Sequence, residues 1–123
     1  MNENHLNMGG ELRQGEYLTS VDGKHRAVFQ DNGNFAIISE SSVTWQTKTS
    51  GSHGMRIVLQ ADGNLVMYTQ YRKVVWSSYS YSLLRESAHV RLTLTNEGLL
   101  ELDRDGVHIW SSATSENWRP KNL

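Results

Sequence analysis

The stretch QADGNLVMY, residues 60–68, decides the fold. Gln60, Asp62, Asn64, Val66 and Tyr68 stand at every second position of it. A period of two is that of a β-strand, so residues spaced this way share a face. Ala61-Asp62-Gly63 suits a three-residue hairpin loop whose last residue takes the left-handed conformation, where Gly meets no steric penalty. That loop pairs Gln60 with Asn64 and puts Val66 and Tyr68 on the same side. Leu59, Leu65 and Met67 then point the other way. Strand packing has no use for an amide–carboxylate–amide row, but a surface that grips a ligand rich in hydroxyl groups does.

Two further segments line up with this one. AVFQDNGNFAIISESSVTWQT, IVLQADGNLVMYTQYRKVVWSS and LTLTNEGLLELDRDGVHIWSS each hold two apolar runs around a polar loop ending in Gly33, Gly63 or Gly98. Each then closes on Trp45, Trp76 or Trp110, followed by two polar residues. The same register makes Phe29, Phe35 and Ile37 inner positions in the first copy, and Leu94, Leu100 and Leu102 in the third. All are apolar. The outer sets, Gln30, Asn34, Ala36 and Ile38, then Thr95, Leu99, Glu101 and Asp103, differ in chemistry. A slip of one residue would bury the polar set, so the pattern pins the register. The three tryptophans are expected to converge on a pseudo-threefold axis, each burying roughly 150–250 Å². The segment SYSLLRESAHV, residues 80–90, is the best candidate for a helical turn and reads as a longer linker into the third copy.

Composition narrows the function. The 123 residues suit one domain, with repeats at about 17–48, 49–79 and 80–112 and a tail over 113–123. A formal charge of −1 advertises neither nucleic acid nor an acidic membrane. The chain has no cysteine, which excludes a disulfide framework and a thiol nucleophile. MNENHLNMGG at the start carries no apolar run, so neither a secretory signal nor membrane insertion is expected, and location stays open between the cytoplasm and leaderless secretion. The five histidines show no close pairing of the metal-site kind. DNGN at 31–34 lacks the rest of a calcium loop. Asp103 and Asp105 read as a solvated connection before Val107. No nucleophile, base and oxyanion partner assemble, so neither an enzyme nor a cofactor is expected.

The pattern Gln-X-Asp-X-Asn-X-Val-X-Tyr at Gln60, Asp62, Asn64, Val66 and Tyr68, with three repeats and one Trp in each, resembles the bulb-type (monocot, lily-type) mannose-binding lectins, a family that includes lectins of fish skin and mucus. LRQGEYL, residues 12–18, looks like the family's opening strand. The resemblance implies an all-β fold, the β-prism II, with three four-stranded antiparallel sheets and one potential sugar site on each. It implies that Asp62 and Asn64 meet the axial 2-hydroxyl of mannose, Gln60 the 3-hydroxyl and Tyr68 the 4-hydroxyl, with Val66 against the carbon face of the sugar. The first copy offers Gln30, Asn32 and Asn34 followed by Ala36 and Ile38, a weak second site at best. The third offers Thr95, Glu97, Leu99, Glu101 and Asp103, with almost nothing of the pattern left. Many relatives carry a disulfide between the positions held here by Gly33 and Met55.

The expectation is therefore a non-enzymatic lectin for mannose or mannose-terminated glycans, with one intact site and two degraded ones. A shallow single site binds with dissociation constants on the order of mM, about −4 kcal/mol, so avidity requires several sites on one particle. A homodimer built through the tail ATSENWRPKNL, anchored by Trp118, would supply them, and agglutination and innate defence are what the family leads one to expect. The rival is a protein–protein binding module, a toxin or inhibitor on the lectin scaffold, which the two degraded rows favour and the intact row opposes.

Overall fold

The computed structural model describes residues 3–82 and 89–114. Twelve strands alternate with tight turns: β1 (His5–Asn7), β2 (Glu11–Arg13), β3 (Tyr17–Thr19), β4 (His25–Phe29), β5 (Phe35–Ser39), β6 (Ser42–Gln46), β7 (Gly54–Leu59), β8 (Leu65–Thr69), β9 (Val74–Ser77), β10 (Val90–Leu94), β11 (Leu100–Arg104) and β12 (Val107–Ser111). They form three antiparallel sheets of four, in the orders β3-β4-β5-β6, β2-β7-β8-β9 and β1-β10-β11-β12. This is the β-prism II. A single 3-10 turn, Ser112–Thr114, follows the last strand. The linker centred on 83–88 and the tail beyond 114, with Trp118, lie outside the described residues.

The sheets β2-β7-β8-β9 and β1-β10-β11-β12 each take a short strand from the first thirteen residues, whereas β3-β4-β5-β6 lies wholly within 17–48. LRQGEYL is therefore two strands in two sheets, not one opening strand. Gly15 has φ +90° and Glu16 N–H donates to Arg13 C=O at 2.9 Å, so the chain turns between β2 and β3. The three short strands lay Leu6, Leu12 and Leu18 on the core.

The hairpin register follows from the loops. Gly33, Gly63 and Gly98 all have positive φ, and each N–H donates at 3.0 Å to the carbonyl three residues back, on Gln30, Gln60 and Thr95. Leu59 then faces Leu65, as Phe29 faces Phe35 and Leu94 faces Leu100. The inward residues stack in rings of three around the axis: Ala27, Ile57 and Leu92; Phe29, Leu59 and Leu94; Phe35, Leu65 and Leu100; Ile37, Met67 and Leu102. All twelve are completely buried.

The tryptophans complete the core. Trp45, Trp76 and Trp110 meet with ring centroids 5.9–6.0 Å apart and planes at 75° in all three pairs. Edge-to-face pairs of this kind add about 0.5–1.5 kcal/mol each beyond burial. A bulge aims each indole. The register shifts between Ile37 and Ile38, between Met67 and Tyr68, and between Leu102 and Asp103, so one residue of the facing strand is skipped just before each Trp. Such a bulge adds local twist and redirects the next side chain. Asp103 belongs to β11 and only Asp105 to the turn after it, so the pair is not one solvated connection.

The outer faces are not uniformly open. Ala36 is fully buried, Val66 is 2% exposed and Asn34 5%. Val66 lies on a central strand between Val58 and Ser77, and Ala36 between Val28 and Gln46. A short side chain flanked on both sides becomes floor rather than surface.

Replacing Trp45 with Ala removes one member of the ring and is expected to cost about 3–5 kcal/mol in a urea melt. Val43→Ala, at an exposed position on the same strand, should stay within about 0.5 kcal/mol of the parent.

Candidate functional site

The five residues of the Gln60–Tyr68 row lie on the exterior of the sheet β2-β7-β8-β9, along the second hairpin. The loop orders the first three. Asp62 Oδ1 accepts the Asn64 N–H at 2.9 Å, which fixes the carboxylate over its own turn. Gln60 N–H donates to Asn64 C=O at 2.9 Å, closing the hairpin. Farther along the strand, Gln60 Nε2 donates to the Tyr68 hydroxyl, so residues eight apart in sequence touch. The Arg56 guanidinium lies 5.7 Å above the centre of the Tyr68 ring. Val66 is the floor between them.

Asn64 is oriented by residues that the alternating pattern does not mark. Its Oδ1 accepts from Ser77 Oγ at 2.9 Å, from Ser78 Oγ at 3.2 Å and from the Ser80 N–H at 3.2 Å. A backbone N–H can only donate, so the atom facing Ser80 is the side-chain oxygen. The amide nitrogen of Asn64 is therefore turned away from these serines. Ser78 and Ser80 are themselves tied to the hairpin, Ser78 accepting from Leu65 N–H at 3.0 Å and Ser80 donating to Gly63 C=O at 2.7 Å. The sequence signal was the pair of polar residues after each Trp, a repeat feature visible without its purpose.

The first row has Asn32, Ala36 and Ile38 in place of Asp62, Val66 and Tyr68, and its asparagine is held differently. Asn32 Oδ1 accepts the Asn34 N–H at 2.9 Å, as Asp62 does for Asn64. Asn34 Oδ1 accepts from Thr47 Oγ1 at 3.2 Å and from Thr49 N–H at 3.1 Å. Its amide nitrogen, however, donates to Gln46 Oε1 at 3.0 Å. Gln46 occupies the cross-strand place that Ser77 holds in the second sheet. A long amide there engages one of the two Asn34 amide hydrogens, on a residue only 5% exposed. In the third row the loop is held instead by Leu99 N–H donating to Thr95 Oγ1 at 3.2 Å, and Asp103 lies 3.8 Å from His108.

Neighbouring sheets brace the loops. Arg104, from β11, donates through Nη2 to Asp62 C=O at 3.1 Å and to Ser80 C=O at 2.7 Å. His25, from β4, does the same for the third loop, its Nε2 donating to Asn96 C=O at 3.0 Å while Nδ1 meets Ser39 Oγ at 2.6 Å. Beside the first loop the seam is open, a groove of about 840 Å³ lined by Asp31, Asn32, His53, Met55 and Tyr71 among others. None of the five residues of the second row lines it. Their site is a shelf on the sheet, not a cavity.

A donor beside an acceptor on a rigid sheet, with an apolar floor and no deep pocket, is the layout of a non-enzymatic carbohydrate-binding protein. The chain is 39% identical over 109 residues to B-type lectin plumieribetin of Scorpaena plumieri, an alignment covering 89% of this chain and 94% of that one. Monomeric monocot mannose-binding lectins from Gastrodia elata share the fold with a TM-score of 0.81 at 24% identity, covering 92% of this chain and 99% of theirs. Polygonatum cyrtonema lectin, solved in complex with monomannoside, superposes with a TM-score of 0.71 at 26% identity over 92% of this chain and 98% of its own. No protein-family model matches the chain. The chain belongs to the B-type, or bulb-type, lectin family.

The Asp62 loop has no room for a side chain at Gly63. Its φ is +92°, and an added Cβ would lie 2.2 Å from Arg104 Nη2. Gly63→Ala is expected to destabilise the protein by about 1 kcal/mol or more, read as a drop of several degrees in Tm. Gly23→Ala, also at positive φ but with nothing near, separates the backbone strain from the loss of the Arg104 brace.

Proposed function

We propose that this lectin binds terminal mannose through Gln60, Asp62, Asn64, Val66 and Tyr68, and that this is its one intact site. The observation that carries the reading is the orientation of Asn64, whose oxygen is held by Ser77, Ser78 and Ser80 so that its amide nitrogen is turned away from them, in the row that includes Asp62. An axial hydroxyl can donate to Asp62 and accept from Asn64 at once. The sugar with that hydroxyl equatorial leaves both groups unpaired, which is how a polar site rejects a close analogue. Gln60 Oε1 and the Tyr68 O–H, which remain available after their mutual contact, serve the next two hydroxyls. Val66 lies under the carbon face.

The relatives support the same ligand, since they include proteins described as mannose-binding and one solved with a mannoside. The first row, Gln30, Asn32 and Asn34, is proposed to bind weakly or not at all, because Gln46 engages the amide nitrogen of Asn34, which is only 5% exposed. The third row is proposed to be inactive toward mannose. One shallow site per chain then needs self-association for avidity, and the residues after Ser112, including Trp118, are the proposed means. Two silent rows would also suit a protein-binding module, but the complete donor–acceptor pair on the second sheet favours sugar.

On an immobilised-mannose column the wild type should be retained and eluted by free mannose, whereas Asp62→Ala plus Asn64→Ala should flow through. Asn64→Asp is the sharper variant. It keeps an acceptor for Ser77, Ser78 and Ser80 but has no N–H to offer, so it should fold and yet fail to bind. Wild-type protein that passes unretained would defeat the mannose reading. Sizing in solution before and after deletion of residues 113–123 tests the assembly; an unchanged size would reject the tail's role.

A further inference from the structure

The second sheet differs from the other two at one cross-strand line. In each sheet an arginine occupies the same place on the second strand: Arg26, Arg56 and Arg91. In the first sheet Arg26 stands opposite Thr19 and Ile38, and its guanidinium lies 4.7 Å from the Tyr17 ring centre. In the third, Arg91 stands opposite Asn7 and Asp103 and donates through Nε to Asn7 Oδ1 at 3.2 Å. Each is matched by neutral or acidic neighbours. In the second sheet Arg56 stands opposite Tyr68 on one side and a second arginine, Arg13, on the other.

Like charges directly opposite one another destabilise a strand pair. Glu11 answers this only in part. Its Oε2 lies 3.4 Å from Arg13 Nε and 4.0 Å from Arg56 Nη1, and that buried oxygen makes no hydrogen bond. One carboxylate is shared between two guanidinium groups. Glu16, the next acid along the chain, is engaged by the Arg13 backbone N–H at 2.7 Å. A third arginine, Arg72 in the β8–β9 turn, joins Arg13 and Arg56 around a small cavity of about 290 Å³, completed by Met55, Thr69 and Gln70. Positive charge is thus gathered in a chain whose formal net charge is −1. Arg56, which lines the cavity, lies 5.7 Å from the ring centre of Tyr68, the last residue of the proposed mannose row.

We propose that Arg13, Arg56 and Arg72 form an anion subsite beside Tyr68, so that the preferred ligand is a mannose-terminated glycan carrying an oxyacid group, a phosphate, sulfate or carboxylate, on the mannose or on the sugar next to it. Guanidinium forks match such groups in geometry and form charge-assisted hydrogen bonds with them. An incoming oxyanion also relieves the Arg13–Arg56 opposition that Glu11 leaves half neutralised. The subsite rests on the mannose reading, because it selects among mannosides and does not replace the row.

The test is calorimetric titration of the full chain with methyl mannoside, mannose 6-phosphate, mannose 6-sulfate and a mannosyl-glucuronic acid disaccharide, which separate the three sources of the anion. At low salt at least one anionic mannoside should bind about tenfold tighter than methyl mannoside. That advantage should collapse at about 0.5 M NaCl and in Arg13→Gln, whose side chain is 65% exposed. Arg72→Gln, on an exposed turn, provides a second variant in which the ratio must shrink. If methyl mannoside binds and no anionic mannoside exceeds it, the subsite is wrong and the mannose reading stands. An advantage that survives both arginine variants overturns it equally. If glucose 6-phosphate binds as tightly as mannose 6-phosphate, the coupling to the mannose row is refuted. If no mannoside binds, charged or neutral, the mannose reading itself has failed.

Discussion

Three indole rings meeting edge to face on one axis set the geometry of this protein. Each ring presents its edge to one neighbour and its face to another, and the repeated 75° angle closes the cycle. The cycle needs three sheets at equal distance from the axis, because displacing one would open two of the three contacts. It also needs the bulge before each Trp, since a regular strand would carry the indole out of line. Phe35 extends the contact, its ring perpendicular to Trp45 at 6.1 Å. With no cysteine in the chain, this ring and the four triads of aliphatic and aromatic side chains beneath it must hold the prism together by packing.

A rigid prism then turns function into a question about single atoms. The hairpins of the first two sheets have the same loop, the same capping of the following N–H and the same hydroxyl ladder from the strand after Trp. They differ in what stands across from Ala36 and Val66. Gln46 reaches the Asn34 amide; Ser77 is too short to do so and donates to the Asn64 oxygen instead. The two asparagines have equivalent backbones and different side-chain partners. Nothing in the strand pairing separates them, and the difference lies wholly in one cross-strand side chain.

The fold was legible because its signals are local and periodic. Alternation with period two, a Gly at each loop and a Trp at each repeat end led to the register of all three hairpins. Contacts between sheets were not legible in that way. The split of LRQGEYL into two strands depends on a turn at Gly15 whose flanks pair with partners some 10 to 45 residues away. The braces from Arg104 and His25 join residues 42 and 71 positions apart. The spacing put Gln60, Asp62, Asn64, Val66 and Tyr68 on one face, but the burial of Val66 and the serines that orient Asn64 needed the neighbouring strands in place.

Symmetry sharpens the reading of what is asymmetric. A residue type that recurs in all three sheets, such as the arginine at 26, 56 and 91, is explained by the scaffold, and two of the three copies are paired accordingly. A departure within one sheet has no such explanation. Arg13 faces Arg56 where the other sheets put Thr19 and Asn7, on the same sheet that carries the proposed mannose row. A structural role would favour a neutral residue there, because two guanidinium groups sharing one carboxylate raise the energy of the free protein. The arrangement makes physical sense when a negatively charged group completes it, and the nearest place for a ligand to bring one is the Tyr68 end of the proposed mannose row.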